Sequence, residues 1–599
     1  MGDDPRGSAA WGCDPCRYLD GRPAEAGRAA PVSRYLEMRD GVRLALDIHL
    51  PDPAPGPVPA VVIFTPYYRR FRLAPGSSAE PSPNIAAYRD IFVPRGYALV
   101  AVDVRGTGAS FGSRDSFRSP AERADYAEVV DWIARQPWCD GRLGATGISY
   151  LGAAADFAAA SGHPALKAIA PISAVWDSFR DHFYPGGLRL TDLIDGYAAI
   201  CDALDRDRRA ALRRYAYFAD PSLEGPAPVD EDPDGALLAA AIAAHDANAQ
   251  MQDFLREFQF RDDGLAHDPG FTPDSFSPHA AAPEMRADLA VLSISGWMDG
   301  AYAGGAISRF LSTPCAEKRL LIGPWDHGAR VNASPFRAQE TPEFPVLGEV
   351  LRFFDTHVAG RETGLAAEAP VHLHVMGAER WEAAAAWPPH RQTRVLHLAE
   401  GALEETPGPA GTLSHRVDPA QTTGLGTRWG RLQIRDVRTF YPDWEDRRDT
   451  DLAFRSAPLA EAATLLGHAV LDLVLASEAP DASLFAYLED IAPDGRRRYV
   501  TEGMLRALHG GEDDSPTYRA TWPLPSFRRA DAAPLPAGRQ VRRRIAFLPT
   551  GWEFRQGHRI GLRIAGTDRD NFTIWPYGGS GGFELATGAA GCTLSLPLL

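Results

Sequence analysis

The stretch GATGISYLGAAADF, residues 144–157, places Ser149 and Tyr150 between Gly147 and Gly152. The residues before Ser149 are typical of a buried strand, and the alanine-rich residues after it are typical of a helix. In such a strand-to-helix turn the serine hydroxyl is lifted out of the sheet, while the glycines tolerate strain and close backbone contact. The second glycine comes one residue later than in the G-x-S-x-G form, and a serine that only caps a helix is the alternative. We interpret the stretch as a nucleophile elbow, in which the Tyr150 N–H faces an oxyanion.

The segments before this elbow predict a mostly parallel sheet. Residues 35–51 read as two alternating strands joined at Asp40-Gly41, a hairpin signal. Short β-branched runs follow at residues 59–68 and 97–108, and a proline marks the first turn of a helix predicted over residues 119–136. Strands that alternate with helices indicate an α/β fold.

A serine nucleophile needs a base within hydrogen-bond reach and a carboxylate that orients the base. In α/β hydrolases the acid follows the serine in the chain and the histidine follows the acid. Asp299 lies just after a buried strand predicted at 289–294, and His327 lies just after the next apolar strand, in KRLLIGPWDHGAR. Asp326 is the competing acid, but adjacent residues on an extended loop point apart. The sequence therefore favours Asp299 as the acid and His327 as the base.

The composition argues against several other classes of function. The chain has 599 residues and a formal net charge of −16 without a long basic run, which argues against nucleic acid or an anionic membrane as a partner. It contains no window of about 18 uninterrupted apolar residues, and its first residues are acidic and polar. A cytoplasmic protein is the expectation.

Cysteine usage predicts neither a disulfide framework nor a metal centre. Four of the six cysteines are far apart in the sequence. Cys13 and Cys16 form a single CxxC pair, whereas a structural zinc site needs four ligands. There is no phosphate-binding glycine loop, so we expect no metal and no cofactor.

Five motifs occur in one order across residues 35–360: PYY, VDVRGTGAS, QPWCDGRLGATGISYLG, ISGWMDG and LIGPWDHG. Together they resemble the landmarks of the cocaine-esterase-like branch of the X-Pro dipeptidyl peptidase-like α/β hydrolases. The resemblance implies Ser149 as nucleophile, Asp299 as acid, His327 as base, and Tyr67 as a side-chain oxyanion donor beside the Tyr150 N–H. Tyr68, which follows Tyr67, is the alternative donor.

The resemblance also implies the domain organisation. It predicts an α/β-hydrolase fold with an inserted helical cap and a C-terminal all-β jelly-roll sandwich, to which we assign PVHLHVMGAERW (370–381). The predicted boundaries are an N-terminal, loosely packed arm at 1–30, a catalytic domain at 31–175 and 286–362, the cap at 176–285, and the jelly roll at 363–599. The jelly roll either packs against the catalytic domain, which we favour, or binds a sugar or partner.

Aromatic residues near the start of the cap suit an apolar acyl or aryl pocket. We assign five residues to the substrate pocket: Trp176, Phe179, Phe183, Tyr184 and Trp297. For the four residues of the cap, the alternative is that their side chains attach the cap to the sheet.

The sequence thus predicts a serine hydrolase that cleaves carboxylic esters through an acyl-enzyme. Residues 300–304 contain no carboxylate that would hold a substrate ammonium, so we expect a small, uncharged acyl or aryl ester, although Asp177 or Asp181 of the cap could serve instead. Two alternatives use the same scaffold, an acyltransferase and an α-amino-acid ester hydrolase or peptidase-like amidase. A third is a non-enzymatic β-sandwich binding protein. Homodimer formation is left open.

Overall fold

The computed structural model describes residues 10–54, 56–116, 118–339, 341–430, 439–441, 444, 451–573 and 581–599. Over these residues the chain forms an α/β domain, a largely helical insertion and an all-β domain. No helix in this part of the chain combines the length and the apolar character needed to span a bilayer.

The α/β domain is built on a ten-stranded sheet. Its strands are β1 (Val32–Glu37), β2 (Arg43–His49), β3 (Val58–Thr65), β4 (Ala98–Asp103), β5 (Cys139–Ile148), β6 (Leu166–Ile172), β7 (Ala290–Gly296), β8 (Glu317–Gly323), β9 (Val371–Val375) and β10 (Arg380–Ala384). Their order across the sheet is β10-β9-β8-β7-β6-β5-β3-β4-β2-β1. The pairs β1/β2, β2/β4 and β9/β10 are antiparallel, and all other neighbours are parallel. The predicted hairpin and α/β sheet are confirmed.

The order of the central strands positions the site. All six residues of β4 are buried, as is typical of a strand covered on both faces. Because β3, β5, β7 and β8 are parallel, their carboxyl ends meet at one edge of the sheet, where doubly wound folds place their sites. Tyr67, Ser149, Asp299 and His327 each follow one of these four strands.

Eleven α-helices are found among the described residues. They are α1 (Pro15–Asp20), α2 (Ala86–Phe92), α3 (Pro120–Ala134), α4 (Tyr150–Ala160), α5 (Thr191–Asp205), α6 (Arg209–Leu212), α7 (Ala236–Ala244), α8 (Met251–Glu257), α9 (Pro278–Ala281), α10 (Tyr302–Ser312) and α11 (Val346–His357). Helix α3 begins as predicted, since the Ser119 side chain accepts a hydrogen bond from the Glu122 N–H. Helices α5 to α9 lie in the segment assigned to the cap.

The all-β domain contains a thirteen-stranded sheet. Its strands are β11 (Gln392–Ala399), β12 (Ala402–Glu404), β13 (Gly411–Arg416), β14 (Leu452–Ser456), β15 (Ala463–Gly467), β16 (Val470–Ala476), β17 (Ser483–Ile491), β18 (Arg497–Arg506), β19 (Val541–Ala546), β20 (Thr550–Phe554), β21 (Arg559–Ala565), β22 (Gly582–Thr587) and β23 (Thr593–Leu598). The longest path through it is β13-β22-β16-β23-β11-β12-β14-β21-β17-β18.

Two segments pack differently from what the sequence pattern predicts. PVHLHVMGAERW (370–381) supplies β9 and the first two residues of β10, and both strands extend the α/β sheet rather than open the jelly roll. A strand with alternating polar and apolar residues fits the α/β sheet or the all-β domain equally well, so this pattern does not predict which of the two sheets the strand joins. The described part of the N-terminal arm is packed rather than loose, because Trp11 stacks on His372 with 3.8 Å between ring centroids and Arg22 pairs with Asp355 at 3.0 Å.

Candidate active site

Ser149 occupies the strand-to-helix turn between β5 and α4. Its backbone angles are φ 64° and ψ −118°, a conformation that costs a non-glycine residue about 1–3 kcal/mol. The Ser149 N–H donates to the carbonyl of Ile172 at 2.9 Å, and the Ser149 carbonyl accepts from the Ala153 N–H at 3.0 Å. These bonds to β6 and α4 hold the strained turn, and the serine lines a cavity beyond the strand ends.

The two glycines beside Ser149 are required by close packing. A Cβ on Gly147 would lie 2.2 Å from the Cβ of Leu151, and a Cβ on Gly152 would lie 2.7 Å from both the Cβ of Ala174 and the carbonyl oxygen of Gly147. The second glycine therefore lets α4 approach the turn and the chain that follows β6. This contact explains why glycine is needed at residue 152, one position later than in the G-x-S-x-G form.

Tyr150 is the first residue of α4, so its backbone N–H has no acceptor within the helix. Its hydroxyl donates to the buried carboxyl group of Glu122, and it accepts from the Arg118 N–H at 3.2 Å. Burial raises the pKa of Glu122. The side chain is thus anchored away from the turn, while the N–H remains at the amino end of α4, where helix geometry favours negative charge.

Asp299 and His327 form a buried pair. The Nδ1 atom of His327 lies 2.7 Å from Oδ1 of Asp299, and the second oxygen of Asp299 accepts from the Ser295 hydroxyl at 3.2 Å. An ionised carboxylate at Nδ1 keeps the proton there, which leaves Nε2 as the basic nitrogen. His327 and Ser149 line the same cavity. No hydrogen bond joins their side chains among the described residues, and in free enzymes this contact often tightens only when substrate binds.

Asp326, the competing acid, has another role in the loop after β8. Its Oδ1 accepts hydrogen bonds from the N–H groups of Arg330 at 3.0 Å and Val331 at 2.8 Å. Burial raises the pKa of Asp326 to about 7. The carboxylate that contacts His327 is therefore that of Asp299, and Asp326 closes the loop in which His327 lies.

The two adjacent tyrosines after β3 diverge. Tyr67 lines the cavity, and its hydroxyl lies 3.0 Å from the hydroxyl of Tyr197 on α5. Tyr68 has a positive φ of 67° and is fully buried, and its hydroxyl donates to the carbonyl of Leu204 at 2.6 Å. Of the two tyrosines, Tyr67 is among the described residues that line the cavity of Ser149, and Tyr68 is not.

Residues that the sequence analysis did not identify hold this tyrosine turn in place. Asn84, which also lines the cavity, donates to the carbonyl of Tyr67 at 2.5 Å. The buried Arg69 guanidinium pairs with Asp47 and Asp103, each at 2.9 Å, and the Arg69 N–H donates to Asp103 at 2.6 Å. Two features of the sequence could have indicated this ion pair: Asp103 is the last residue of a buried strand, and Arg69 directly follows PYY.

The cavity around Ser149 has a volume of about 740 Å³, part of it open to solvent. Most of its walls are aromatic or aliphatic, and its lining residues are Tyr67, Asn84, Tyr88, Ile148, Ser149, Leu151, Tyr197, Ile200, Tyr215, Tyr217, Phe218, His327 and Arg330. No aspartate or glutamate is among the described residues that line it.

The structure places the five aromatic residues assigned to the pocket outside this cavity, where their rings contact other parts of the protein. Phe179 stacks on Tyr184 at 4.7 Å and lies 5.6 Å from Phe527 of the all-β domain. Phe183 packs on Phe276, and Trp176 lies under the guanidinium of Arg309. The Trp297 indole donates to the carbonyl of His374 at 2.7 Å. Trp176 therefore joins the cap to the α/β domain, and Phe179 joins it to the all-β domain. The Phe183–Phe276 contact lies within the insertion, and the Trp297–His374 bond lies within the α/β domain.

One group in the described part of the chain could offer three ligand atoms to a metal ion: Asp177, Asp274 and His279. It lies outside the cavity, and the guanidinium of Arg261 already contacts Asp177 and lies 3.7 Å from Asp274. The Tyr518 hydroxyl also donates to Asp177 at 2.6 Å. A buried cation beside both carboxylates makes this an ion-pair network that joins the insertion to the all-β domain.

Comparisons with known proteins identify two family regions in the chain. Residues 40–329 match the model of the X-Pro dipeptidyl-peptidase (S15 family), and residues 363–585 match that of the X-Pro dipeptidyl-peptidase C-terminal non-catalytic domain. The chain is 38% identical over 575 residues to a Mycobacterium bovis protein named "Putative serine esterase", with 91% of each chain covered. It is 29% identical over 568 residues to the cocaine esterase of a Rhodococcus species, with 89% of each covered.

The fold is also found in a solved structure, a CocE/NonD family hydrolase from Staphylococcus aureus. That structure superimposes with a TM-score of 0.70 at 19% identity and covers 97% of this chain and 98% of its own. The match extends over both the α/β domain and the all-β domain. With both family regions matched in order and a relative of 38% identity across nine-tenths of the sequence, this chain belongs to the S15 family of X-Pro dipeptidyl-peptidase-like α/β hydrolases.

Proposed function

We propose that this chain is a serine carboxylesterase with Ser149 as nucleophile, His327 as base and Asp299 as the orienting acid. The observation that carries the proposal is the 2.7 Å contact between Asp299 and Nδ1 of His327 beside a cavity that also contains the strained Ser149 turn. Relatives named as serine esterase and cocaine esterase support ester hydrolysis.

The proposed reaction follows from these positions. Nε2 of His327 takes the proton of Ser149 as its Oγ attacks the ester carbonyl, and the carbonyl oxygen becomes an oxyanion. The Tyr150 N–H and the Tyr67 hydroxyl donate to that oxyanion. When the intermediate collapses, the protonated His327 gives its proton to the leaving alcohol, and the acyl group stays on Ser149. Water then attacks in the same way and releases the carboxylic acid.

The charges of the cavity disfavour substrates with a free amine. No carboxylate lines the cavity among the described residues. Asp177 and Asp181 are fully buried and pair with Arg261 and Arg180. A substrate ammonium would therefore be desolvated without a partner, which is costly. We infer that the enzyme prefers acyl groups that lack an α-amine.

The second candidate is an amidase that removes amino-terminal dipeptides, as the name of the matched family suggests. Such a substrate carries an ammonium group, for which the described cavity offers no acidic partner. An Ala-Pro p-nitroanilide that is cleaved with a higher kcat/KM than p-nitrophenyl phenylacetate would replace the esterase proposal with the peptidase.

The test of the proposal is the Ser149→Ala variant, assayed with p-nitrophenyl esters of graded acyl size. Removing the nucleophile lowers kcat by several orders of magnitude, roughly 10⁴-fold or more, because triad residues act as a unit. Ser161→Ala is the matched control, since Ser161 caps the far end of α4 and its hydroxyl donates to Ala158 at 2.6 Å.

Labelling by a fluorophosphonate gives an independent test of the nucleophile. The probe should modify Ser149 in the wild type and nothing in Ser149→Ala. A folded Ser149→Ala protein that keeps about a tenth of the wild-type activity, or a label mapped to another serine, would refute the assignment. Circular dichroism and the melting temperature establish that each variant is folded.

A further inference from the structure

Arg330 lies three residues after His327 and lines the same cavity as Ser149. Among the described residues, no carboxylate oxygen lies within 4.0 Å of its guanidinium, and its side chain donates no hydrogen bond. By contrast, Arg114 is paired with Asp205 at 2.6 Å. Among the residues that the structure describes, the cavity therefore has a positive charge without an ion-pair partner within 4.0 Å, and no carboxylate lines it.

The position of this guanidinium is fixed by its surroundings. The Arg330 N–H donates to Asp326 at 3.0 Å, which ties its backbone to the loop of His327. Its guanidinium carbon lies 5.4 Å from the ring centroid of Tyr217, a cation–π contact. An arginine held over an aromatic face keeps its in-plane N–H groups available, and these match the two oxygens of a carboxylate.

A neutral donor lines the same cavity. Tyr88 is buried, with 3% of its surface exposed, and its hydroxyl donates to no acceptor among the described residues. Burial and the neighbouring Tyr217 raise the pKa of Tyr88, while Arg330 lowers it, so the hydroxyl stays protonated at neutral pH. A protonated hydroxyl and a guanidinium are both donors to an anion.

We propose that Arg330 binds a carboxylate carried by the substrate, so that the enzyme prefers esters with an anionic carboxylate to their neutral isosteres. This inference rests on the proposed esterase function and narrows it, since the sequence alone indicated an uncharged ester. The same charge adds to the discrimination against a free amine, because a guanidinium repels an ammonium.

The test compares isosteric pairs that differ only in this charge. One pair carries it on the acyl side, as mono-p-nitrophenyl adipate and the corresponding adipamate. The other pair carries it on the leaving group, as 4-acetoxybenzoate and 4-acetoxybenzamide. A charge-assisted contact predicts a preference for the carboxylate of about ten- to hundredfold in kcat/KM in at least one pair. The preference should decrease with added salt.

The variants isolate Arg330. In Arg330→Gln the ratio of carboxylate to amide kcat/KM should fall to within about threefold of one, and Arg330→Lys should keep part of it as a point charge. Arg330→Glu should reverse the preference, so that the amide is hydrolysed with the higher kcat/KM. The control is Arg135→Gln, an exposed arginine at the end of α3 with 71% of its side chain accessible, which should keep the wild-type ratio.

Two results would overturn the inference. In the first, wild type and Arg330→Gln have the same ratio in both pairs. In the second, the wild type hydrolyses the neutral esters without any preference for the carboxylates. Failure of the proposed function looks different, because wild-type protein would then hydrolyse no ester of either pair. Melting temperatures of the Arg330 variants separate a lost preference from a lost fold.

Discussion

Replacing Tyr67 by phenylalanine is a direct test of the proposed oxyanion site. The substitution removes one hydroxyl from the cavity and keeps the ring, which lies 6.4 Å from the Tyr150 ring. Losing one preorganised donor to an oxyanion costs about 3–4 kcal/mol of transition-state stabilisation, so kcat/KM should fall by roughly 10²- to 10³-fold. The loss is limited to that range because the Tyr150 N–H remains.

The protonation and hydrogen bonding of Tyr67 support this magnitude. Burial raises the pKa of Tyr67, so its hydroxyl remains a donor throughout the pH range of an esterase assay. Its oxygen lies 3.0 Å from the hydroxyl of Tyr197. If Tyr197 donates to Tyr67, the Tyr67 proton is left for the oxyanion. Tyr197→Phe should then lower kcat/KM by a smaller factor, about tenfold.

Tyr68→Phe is the matched control, since it removes the same atom from the next residue. The Tyr68 hydroxyl donates to the carbonyl of Leu204 on α5, at 2.6 Å. That carbonyl also accepts from the backbone of Asp207 at 3.2 Å, so it stays paired in the variant. The substitution should cost about 1 kcal/mol of stability and change kcat/KM by less than about threefold.

The assay is hydrolysis of p-nitrophenyl phenylacetate under steady-state conditions, followed by pre-steady-state measurement of p-nitrophenol release. The pre-steady-state phase separates acylation, in which the first oxyanion forms, from deacylation. A Tyr67→Phe enzyme within about tenfold of wild type would refute the role of Tyr67. A larger loss in Tyr68→Phe than in Tyr67→Phe, with both proteins folded, would move the role to Tyr68.

Three further predictions follow from the site. At a pH where the amine is charged, phenylacetyl esters should be hydrolysed with at least about tenfold higher kcat/KM than phenylglycyl esters of the same alcohol; the opposite preference would indicate a carboxylate that recognises the amine. Gly147→Ala should lower both the melting temperature and kcat, because the added Cβ would lie 2.2 Å from that of Leu151, and a variant equal to wild type in both would contradict the packing argument. Burial raises the pKa of Asp326 from 3.8 to about 7, so between about pH 4 and pH 7 the folded state binds more protons than the unfolded state. The contribution of Asp326 to the free energy of unfolding is therefore lost as the pH rises from about 4 to 7. Urea unfolding of Asp326→Asn should show a smaller decrease in stability over that window than wild type, and an identical decrease would refute the assignment.

The fold and the positions of Ser149, Asp299 and His327 could be predicted because each depends on backbone topology. A residue directly after a parallel strand lies at the carboxyl edge of the sheet whatever its neighbours are. The chain order of a serine, an acid and a histidine then selected Asp299, and the structure places that carboxylate against His327. The position of each residue after its strand was sufficient to predict that the three lie close together, because all three follow strands of one sheet.

The walls of the cavity could not be predicted in the same way. Tyr197 and Tyr217 come from the insertion, whose path over the sheet depends on packing between distant segments. Aromatic residues near the start of the insertion looked equally suited to a pocket, yet Phe179 and Tyr184 stack on each other and face the all-β domain. Helical periodicity gives the apolar side of a segment but not the surface that this side covers.

In the proposed mechanism, chemistry and specificity are supplied by different parts of the chain, and one contact links them. The sheet supplies Ser149, Asp299, His327 and Tyr67, and the insertion supplies much of the aromatic wall. The hydroxyls of Tyr67 and Tyr197 lie 3.0 Å apart across this division. A change in α5 that adapts the wall to another acyl group also moves the partner of the proposed oxyanion donor. Substitutions that alter specificity through α5 should for that reason alter kcat as well as KM, whereas changes at Tyr217 or Arg330, which lie outside α5, should act mainly on the ratio between substrates.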